Sequence, residues 1–333
     1  MRREPWKNQY IDALKGMACI IVVFLHCPLP GLLGDGIIYG LRFSVPVFFL
    51  ISGYYSSFKN DAWVVAKAKY ILKLLLLTEL FYGIWTVISK CMLQRNTLEE
   101  VYEAAIGSKN IFQIIFCGTL FNGTLWYLYA MFWTWMMIYL LRRTGKMNKC
   151  YILIPVLLAV QIFGRAYVQN VYDIEKYVFL FRNAVTFGIP FSLLGAWIAQ
   201  KEAVIAAKID LKKNLMIILG GFFLIIIEFL LFGQYMDTHV STVLIAAGMF
   251  FYAVRQQGEG KKSLKGLAYI GARWSAWIYL LHMFLAELIR SIYKGLPIEE
   301  QPALQYAFPF LVCILAGVCS ELIVRSKKQC SRP

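Results

Sequence analysis

Residues 11–29 read IDALKGMACIIVVFLHCPL, and this stretch decides the class of fold. As a helix at 1.5 Å per residue it would span about 28 Å, close to the hydrocarbon core of a bilayer. It has no small-residue cleavage site, and further apolar stretches follow it. The stretch therefore predicts a first membrane span and not a cleavable signal peptide.

Nine further apolar stretches predict an all-α integral membrane protein with about ten transmembrane helices. The chain is 59% hydrophobic and 16% charged, whereas soluble domains are roughly 45–50% apolar and 25% charged. Little length remains between the stretches, so we expect one membrane domain over residues 1–333 and no soluble domain. The nine stretches are 36–56, 70–89, 123–141, 151–164, 177–199, 215–232, 239–254, 269–289 and 303–324, and residues 111–121 are expected to add a short outer helix.

The basic residues indicate how the chain crosses the membrane. There are 34 Lys and Arg against 19 Asp and Glu, a formal charge of +15. About 22 of the basic residues fall in the tails and alternate loops and 7, including Arg165, in the other loops. Because Lys and Arg resist translocation, both termini are predicted to be cytoplasmic in a multi-pass protein of the cell membrane. These charges then mark topology and contact membrane lipids, and no nucleic-acid partner is expected.

The cysteines do not predict a metal site. The chain has 8 Cys, but no CxxC occurs and no His lies at ligand spacing from a Cys pair. Structural zinc sites need such pairs. We therefore expect no metal.

Lys15 and His26 are the most informative ionisable residues within the spans. Eleven residues at about 100° each bring His26 back to within roughly 20° of Lys15, with a rise of about 16.5 Å. Such a face could hold an extended ligand with an anionic end beside Lys15 and a reacting end beside His26, and coenzyme A has that form. His26 would then be the base. A hydrogen-bonded interfacial His with a snorkelling Lys is the alternative.

Other polar residues of the spans are assigned by depth. Pro46 is expected to free a backbone carbonyl and kink the second span, and Gly53 to allow close helix packing. A helix break is expected at residues 188–190 of the sixth span. The outer half is predicted to hold His26, Arg42, Arg182, Asn183 and His282, and the inner half Lys15, Lys69 and Lys73.

Three segments of the chain resemble acyltransferase family 3, membrane enzymes of bacteria that O-acylate envelope sugars and related acceptors. The segments are Lys15 and His26 with ten residues between them, residues 42–54 (RFSVPVFFLISGY) and residues 278–282 (IYLLH). Residues 125–128 (LWYL) and the stretch from Arg182 to Gly195 are also similar, so the resemblance covers nearly the full length.

The resemblance implies roles for particular residues. His26 would be catalytic with Lys15 as its companion, and Arg42 and His282 would contribute to catalysis. Lys15, Lys69 and Lys73 would bind an acyl-CoA donor from the cytoplasm, although many members have an Arg pair where Lys69 and Lys73 stand. Arg182, Asn183, Trp126 and Tyr127 would bind the substrate.

The sequence thus favours a membrane O-acyltransferase. It would move acetyl from acetyl-CoA to a hydroxyl of an extracytoplasmic glycan or another envelope acceptor. A transporter of small amino acids or anions would also explain many spans with buried charge. A structural membrane protein would explain the spans but not the alignment of Lys15 with His26. A homo-oligomer is left open.

Overall fold

The computed structural model describes residues 8–93, 96–107, 109, 111–118, 120–172, 177–232, 238–256, 262–292 and 301–330. Every regular element within these ranges is helical, which confirms the all-α prediction. Basic residues of the tails and loops that carry the topology prediction but lie outside the described residues are Arg2, Arg3, Lys7, Arg95, Lys176, Lys261, Lys294 and Arg332.

Fourteen α-helices are named here in chain order. They are α1 Gln9–His26, α2 Gly31–Gly40, α3 Ser44–Ser56, α4 Asp61–Val87, α5 Leu98–Tyr102, α6 Trp126–Arg143, α7 Leu153–Ala159, α8 Arg165–Val171, α9 Ile189–Lys208, α10 Leu211–Phe232, α11 Val240–Arg255, α12 Lys265–Tyr269, α13 Ser275–Ile292 and α14 Pro302–Cys330. Wider π-turns continue several of them: Ile88–Leu93, Glu103–Gly107, Val160–Gly164, Ala184–Gly188 and Ile270–Trp274. A π-turn at Gln113–Cys117 provides the short helix expected at 111–121.

Eight helical segments of the described chain are long and apolar enough to cross a membrane. The predicted ten is not reached by this measure. Helix α11 is too short at 16 residues, and the predicted sixth span, 177–199, is not among the eight. The eight are Gln9–His26, Gly31–Ser56, Asp61–Cys91, Gly123–Arg143, Lys149–Val168, Leu211–Leu231, Lys262–Ile292 and Ala303–Lys327.

Backbone contacts divide the chain into two compact units. The first comprises Met1–Ile51 and Lys201–Pro333, and the second comprises Ser52–Gln200. Each unit is described separately below.

In the first unit, α1 crosses the segment of α12 and its following π-turn at two glycines. A Cβ atom on Gly16 would lie 2.1 Å from the carbonyl oxygen of Leu267, and one on Gly271 would lie 1.9 Å from that of Asp12. Only residues without a side chain permit this approach. Beyond the crossing, α1 packs with α13 and α14 around an apolar core that includes Val23, Ala286 and Val312. The crossing fixes the position of α1.

Also in the first unit, α10 and α11 form a helical hairpin that is fastened at both ends. At one end, Asn214 Nδ2 donates to the carbonyl oxygen of Gly248 at 3.1 Å. At the other end, Glu228 Oε1 accepts from the backbone N–H of Val240 at 2.9 Å, and its carboxylate also accepts from the N–H and hydroxyl of Ser241. Glu228 therefore satisfies the free N–H groups that begin α11.

In the second unit, α3 and α9 approach through Gly53, as predicted. A Cβ atom on Gly53 would lie 1.8 Å from the carbonyl oxygen of Ser192. Arg142, which the sequence marked as a topology charge, also has a structural role. Its guanidinium donates to the carbonyl oxygens of Ser56 at 2.8 Å and Lys59 at 2.6 Å and pairs with Asp61 at 2.9 Å. The end of α6 is thereby tied to the turn between α3 and α4.

Two expectations about proline are wrong. Pro46 is the third residue of α3, in a first turn whose N–H groups have no partner within the helix, so it neither removes a bond nor kinks the span. The helix also continues through Pro190. It begins at Ala184 because the side chain of Asn183 caps it, and it passes from a π-turn to α9 without a break. The discontinuity lies earlier, at residues 181–183.

Candidate active site

Lys15 and His26 lie on one uninterrupted helix. Helix α1 runs from Gln9 to His26, so the eleven-residue spacing holds the two side chains on one face. Asn8 begins the helix by accepting from the N–H groups of Tyr10 and Ile11. Both Lys15 and His26 are half-buried. A half-buried side chain can reach a ligand while most of it stays shielded from solvent.

His26 lies beside His282. Their ring centroids are 5.3 Å apart and the ring planes are inclined by 40°. The two residues are far apart in the chain, and the packing of α1 against α13 brings them together. Since imidazole accepts and returns protons near neutral pH, such a pair is suited to acid–base chemistry.

His282 is fixed in position by its own helix. The residue is fully buried, and its Nδ1 lies 3.2 Å from the carbonyl oxygen of Ile278 and 2.7 Å from that of Tyr279. The apolar core of α1, α13 and α14 continues past this point through Cys27 and Ile278. An apolar surround excludes water and strengthens the electrostatic interactions within it.

Arg42 lies in the turn between α2 and α3, within the apolar segment Gly31–Ser56. It is half-buried and acts electrostatically on the phenol of Tyr39, on which Glu228 also acts. The Tyr39 ring packs 4.6 Å from the ring of His239 and 4.9 Å from that of Phe229. Arg42 thus belongs to a second polar cluster of the first unit, composed of Tyr39, Arg42, Glu228, His239 and Ser241.

Lys69 and Lys73 belong to the second unit. Both are exposed and lie four residues apart on α4, so they share one face of that helix. Two ammonium groups so spaced can meet one polyanionic group such as a pyrophosphate. Their exposure leaves both lysines available to a ligand.

The residues expected to bind substrate also lie in the second unit, and Asn183 is fully engaged by the backbone. Its amide donates to the carbonyl oxygens of Phe179 and Leu180 and accepts from the N–H groups of Val185 and Thr186. Two of these hydrogen bonds cap the start of the helix, and the other two hold the residues just before it. Arg182 beside it is half-buried.

Trp126 and Tyr127 begin α6. Trp126 is 9% exposed and packs edge-to-face on Phe187 with ring centroids 5.2 Å apart, whereas Tyr127 is half-buried. Of these two, Tyr127 has more surface to offer a ligand. In the described part of the chain, no group of three or more His, Cys, Asp or Glu could hold a metal ion.

The model of acyltransferase family 3, described as an acyltransferase domain, matches residues 8–322. The chain belongs to this acyltransferase family. The match covers both units and every residue assigned to the candidate site. Comparisons with curated proteins and with solved structures gave no significant match. The protein is a multi-pass membrane acyltransferase.

Two buried polar groups of this acyltransferase were not assigned a role from its sequence. Glu79 is 9% exposed, and its Oε1 accepts from the hydroxyl of Tyr129 at 3.0 Å. Gln161 is fully buried, and Arg165 is 5% exposed with its guanidinium 5.8 Å from the centroid of the Phe181 ring. The assignment of Arg165 to an outer loop is wrong, because the helix continues past Gly164 into α8. In the sequence the apolar run ends before Arg165. The only sign that Arg165 belongs to the helix is its spacing of four residues from Gln161, which puts both side chains on one helix face.

Proposed function

We propose that this membrane acyltransferase transfers an acyl group, acetyl above all, from acyl-CoA to a hydroxyl group of an extracytoplasmic glycan or another envelope acceptor. The observation that carries the proposal is the placement of His26. It lies at the end of a helix face that begins with a cation at Lys15, and its ring adjoins that of His282. A cation at one end and a base at the other match the two ends of an acyl-CoA molecule.

In this proposal the donor enters from the cytoplasm and lies along α1. Lys15 binds a phosphate oxygen of the donor. Lys69 and Lys73 of the second unit stay predicted phosphate ligands. An ammonium group binds phosphate as a point charge, without the two-pronged geometry of Arg. The rise of about 16.5 Å from Lys15 to His26 is taken up by the extended pantetheine arm. The enzyme would lie in the cytoplasmic membrane, so that donor and acceptor approach from opposite sides.

His26 is the general base of the proposed reaction. One of its ring nitrogens takes the proton of the acceptor hydroxyl as that oxygen forms a bond to the thioester carbonyl carbon. The carbon–sulfur bond then breaks, and the proton on His26 passes to the departing thiolate, which gives the ester and free coenzyme A. Arg42 would stabilise the negative charge that develops on the carbonyl oxygen, and Arg182 of the second unit stays a predicted substrate ligand.

The proposal is tested with the purified full-length protein and labelled acetyl-CoA. The release of coenzyme A thiol and the transfer of label to an envelope extract are measured for wild type and for His26→Gln. We expect His26→Gln to reduce both rates by about 100-fold or more, the usual contribution of a general base. Lys15→Met should raise the donor KM, whereas Lys212→Met, which removes an exposed charge from the start of α10, should not. Wild-type protein that neither binds the donor nor transfers label would refute the function, and a fully active His26→Gln would refute the base.

A further inference from the structure

The buried ring of His282 has its tautomer set by the backbone of α13. Both groups next to Nδ1 are carbonyl oxygens, at 3.2 Å on Ile278 and 2.7 Å on Tyr279. A carbonyl oxygen only accepts hydrogen bonds, so Nδ1 must carry the hydrogen. In a neutral imidazole the other nitrogen, Nε2, then has a lone pair and can only accept.

That accepting nitrogen is buried and belongs to a ring that adjoins the ring of His26. Across the described part of the chain, Nε2 of His282 has no hydrogen-bonding partner. The ring of His26 adjoins that of His282, with centroids 5.3 Å apart. Hydrogen bonds between catalytic groups are often long without substrate and shorten in the reacting complex. The adjoining ring of His26 carries an N–H group that can donate to such an acceptor.

The group that the structure places next to the His26 ring is an imidazole, that of His282. Titratable side chains on the elements that carry the two rings include Lys15 and Cys19 on α1, Cys27 directly after it, Tyr279, Glu287 and Arg290 on α13, and Cys313 on the adjoining α14. A buried acidic partner would hold a histidine as the imidazolium ion. A neutral acceptor such as Nε2 of His282 fixes the orientation of His26 and still leaves it free to lose its proton.

We propose that His282 is a positioning residue that selects the tautomer of His26. This inference rests on the proposed role of His26 as the base. Nε2 of His282 accepts the N–H of one His26 nitrogen, so the other His26 nitrogen is left unprotonated and faces the acceptor hydroxyl. When His26 takes the proton of that hydroxyl, the positive charge is stabilised through the same hydrogen bond. The proton stays on His26 until it passes to the thiolate, and His282 remains neutral throughout.

The test uses the small number of histidines in the chain. There are three, His26, His239 and His282, so full-length protein labelled with ¹⁵N-histidine gives few ring signals, which His→Gln variants assign. The chemical shift of a ring nitrogen reports whether it carries a hydrogen. We expect His282 to carry its hydrogen on Nδ1 near neutral pH and His26 to be a single tautomer. In His282→Phe, which keeps a planar ring, His26 should become a mixture while His239 stays unchanged.

Rates provide the second measurement. His282→Phe should lower kcat for label transfer by about 100-fold, with the KM for acetyl-CoA within about twofold, and should shift the acidic limb of the pH–rate profile to lower pH. The shift is expected because the variant no longer stabilises protonated His26. His282→Gln, whose side-chain oxygen can accept a hydrogen bond, should recover part of the rate.

The outcomes separate this inference from the proposed function. A hydrogen on Nε2 of His282 in wild type, or an unchanged His26 tautomer in His282→Phe, would overturn the positioning role even if His26 proved essential for transfer. If His282→Phe does not fold, the wild-type spectrum and the His282→Gln rate still decide. The expected tautomers in a protein that transfers no label would support the arrangement of the rings and refute the proposed function alone.

Discussion

The crossing of α1 over the segment 265–274 supports a prediction that reaches both stability and the candidate site. Replacing Gly16 by alanine places a methyl group 2.1 Å from the carbonyl oxygen of Leu267 and 2.9 Å from the backbone nitrogen of Gly271. Both are backbone atoms, so neither can rotate away as a side chain could. Real Cβ atoms essentially never come closer than 3.0 Å. The two helices must therefore separate.

The size of the effect follows from these distances. Moving from 2.1 Å to at least 3.0 Å requires a displacement of about 1 Å. Overpacking of this kind destabilises by about 1–3 kcal/mol and occasionally more, and the gain from replacing a helical glycine by alanine is about 1 kcal/mol. The net change in the free energy of unfolding should therefore be a loss of up to about 2 kcal/mol. Because Lys15 adjoins Gly16, the same displacement should also lower the transfer rate, by about 100-fold for 1 Å.

Gly266 provides a matched control on the other side of the same crossing. It lies in α12, and a Cβ atom there would meet nothing within 4 Å. We expect Gly266→Ala to unfold at the wild-type temperature or slightly above it, and Gly16→Ala several degrees lower, in detergent-solubilised full-length protein. Acetyl-CoA titrations on both variants would show weaker donor binding in Gly16→Ala, where Lys15 is displaced, than in Gly266→Ala. Equal melting temperatures for Gly16→Ala and Gly266→Ala would refute the reasoning.

Two further predictions concern helix starts. Asn183→Ala removes four hydrogen bonds, two that cap the helix at Ala184 and two to the preceding carbonyl oxygens. It should reduce stability by about 1–2 kcal/mol, seen as a lower melting temperature. An unchanged melting temperature would leave Asn183 available for the substrate role. Glu228→Gln replaces one accepting oxygen of the cap on α11 by a donor and should lower stability by about 1–3 kcal/mol. Amide hydrogen exchange at Val240 and Ser241 should become faster. Exchange at the wild-type rate there would contradict the capping role.

The candidate site shows how far local pattern reaches. The alignment of Lys15 with His26 follows from helical periodicity within one segment, and the unbroken α1 preserves it. The neighbour of His26 could not be derived in that way. His282 lies far along the chain, and it reaches His26 only because Gly16 and Gly271 let α1 pack closely on the segment before α13. Periodicity describes one helix, whereas pairing depends on how two helices pack.

The sequence by itself determined that this protein is helical, apolar enough for a membrane and built with Lys15 and His26 on one face, because composition and periodicity are local properties. Only the tertiary structure decided where helices begin and which polar groups are engaged. It placed Pro46 in a first turn, Arg42 in a turn between helices, and Asn183 in a cap. These outcomes depend on hydrogen bonds and backbone contacts between segments, and a residue's type does not reveal which partner folding will bring to it.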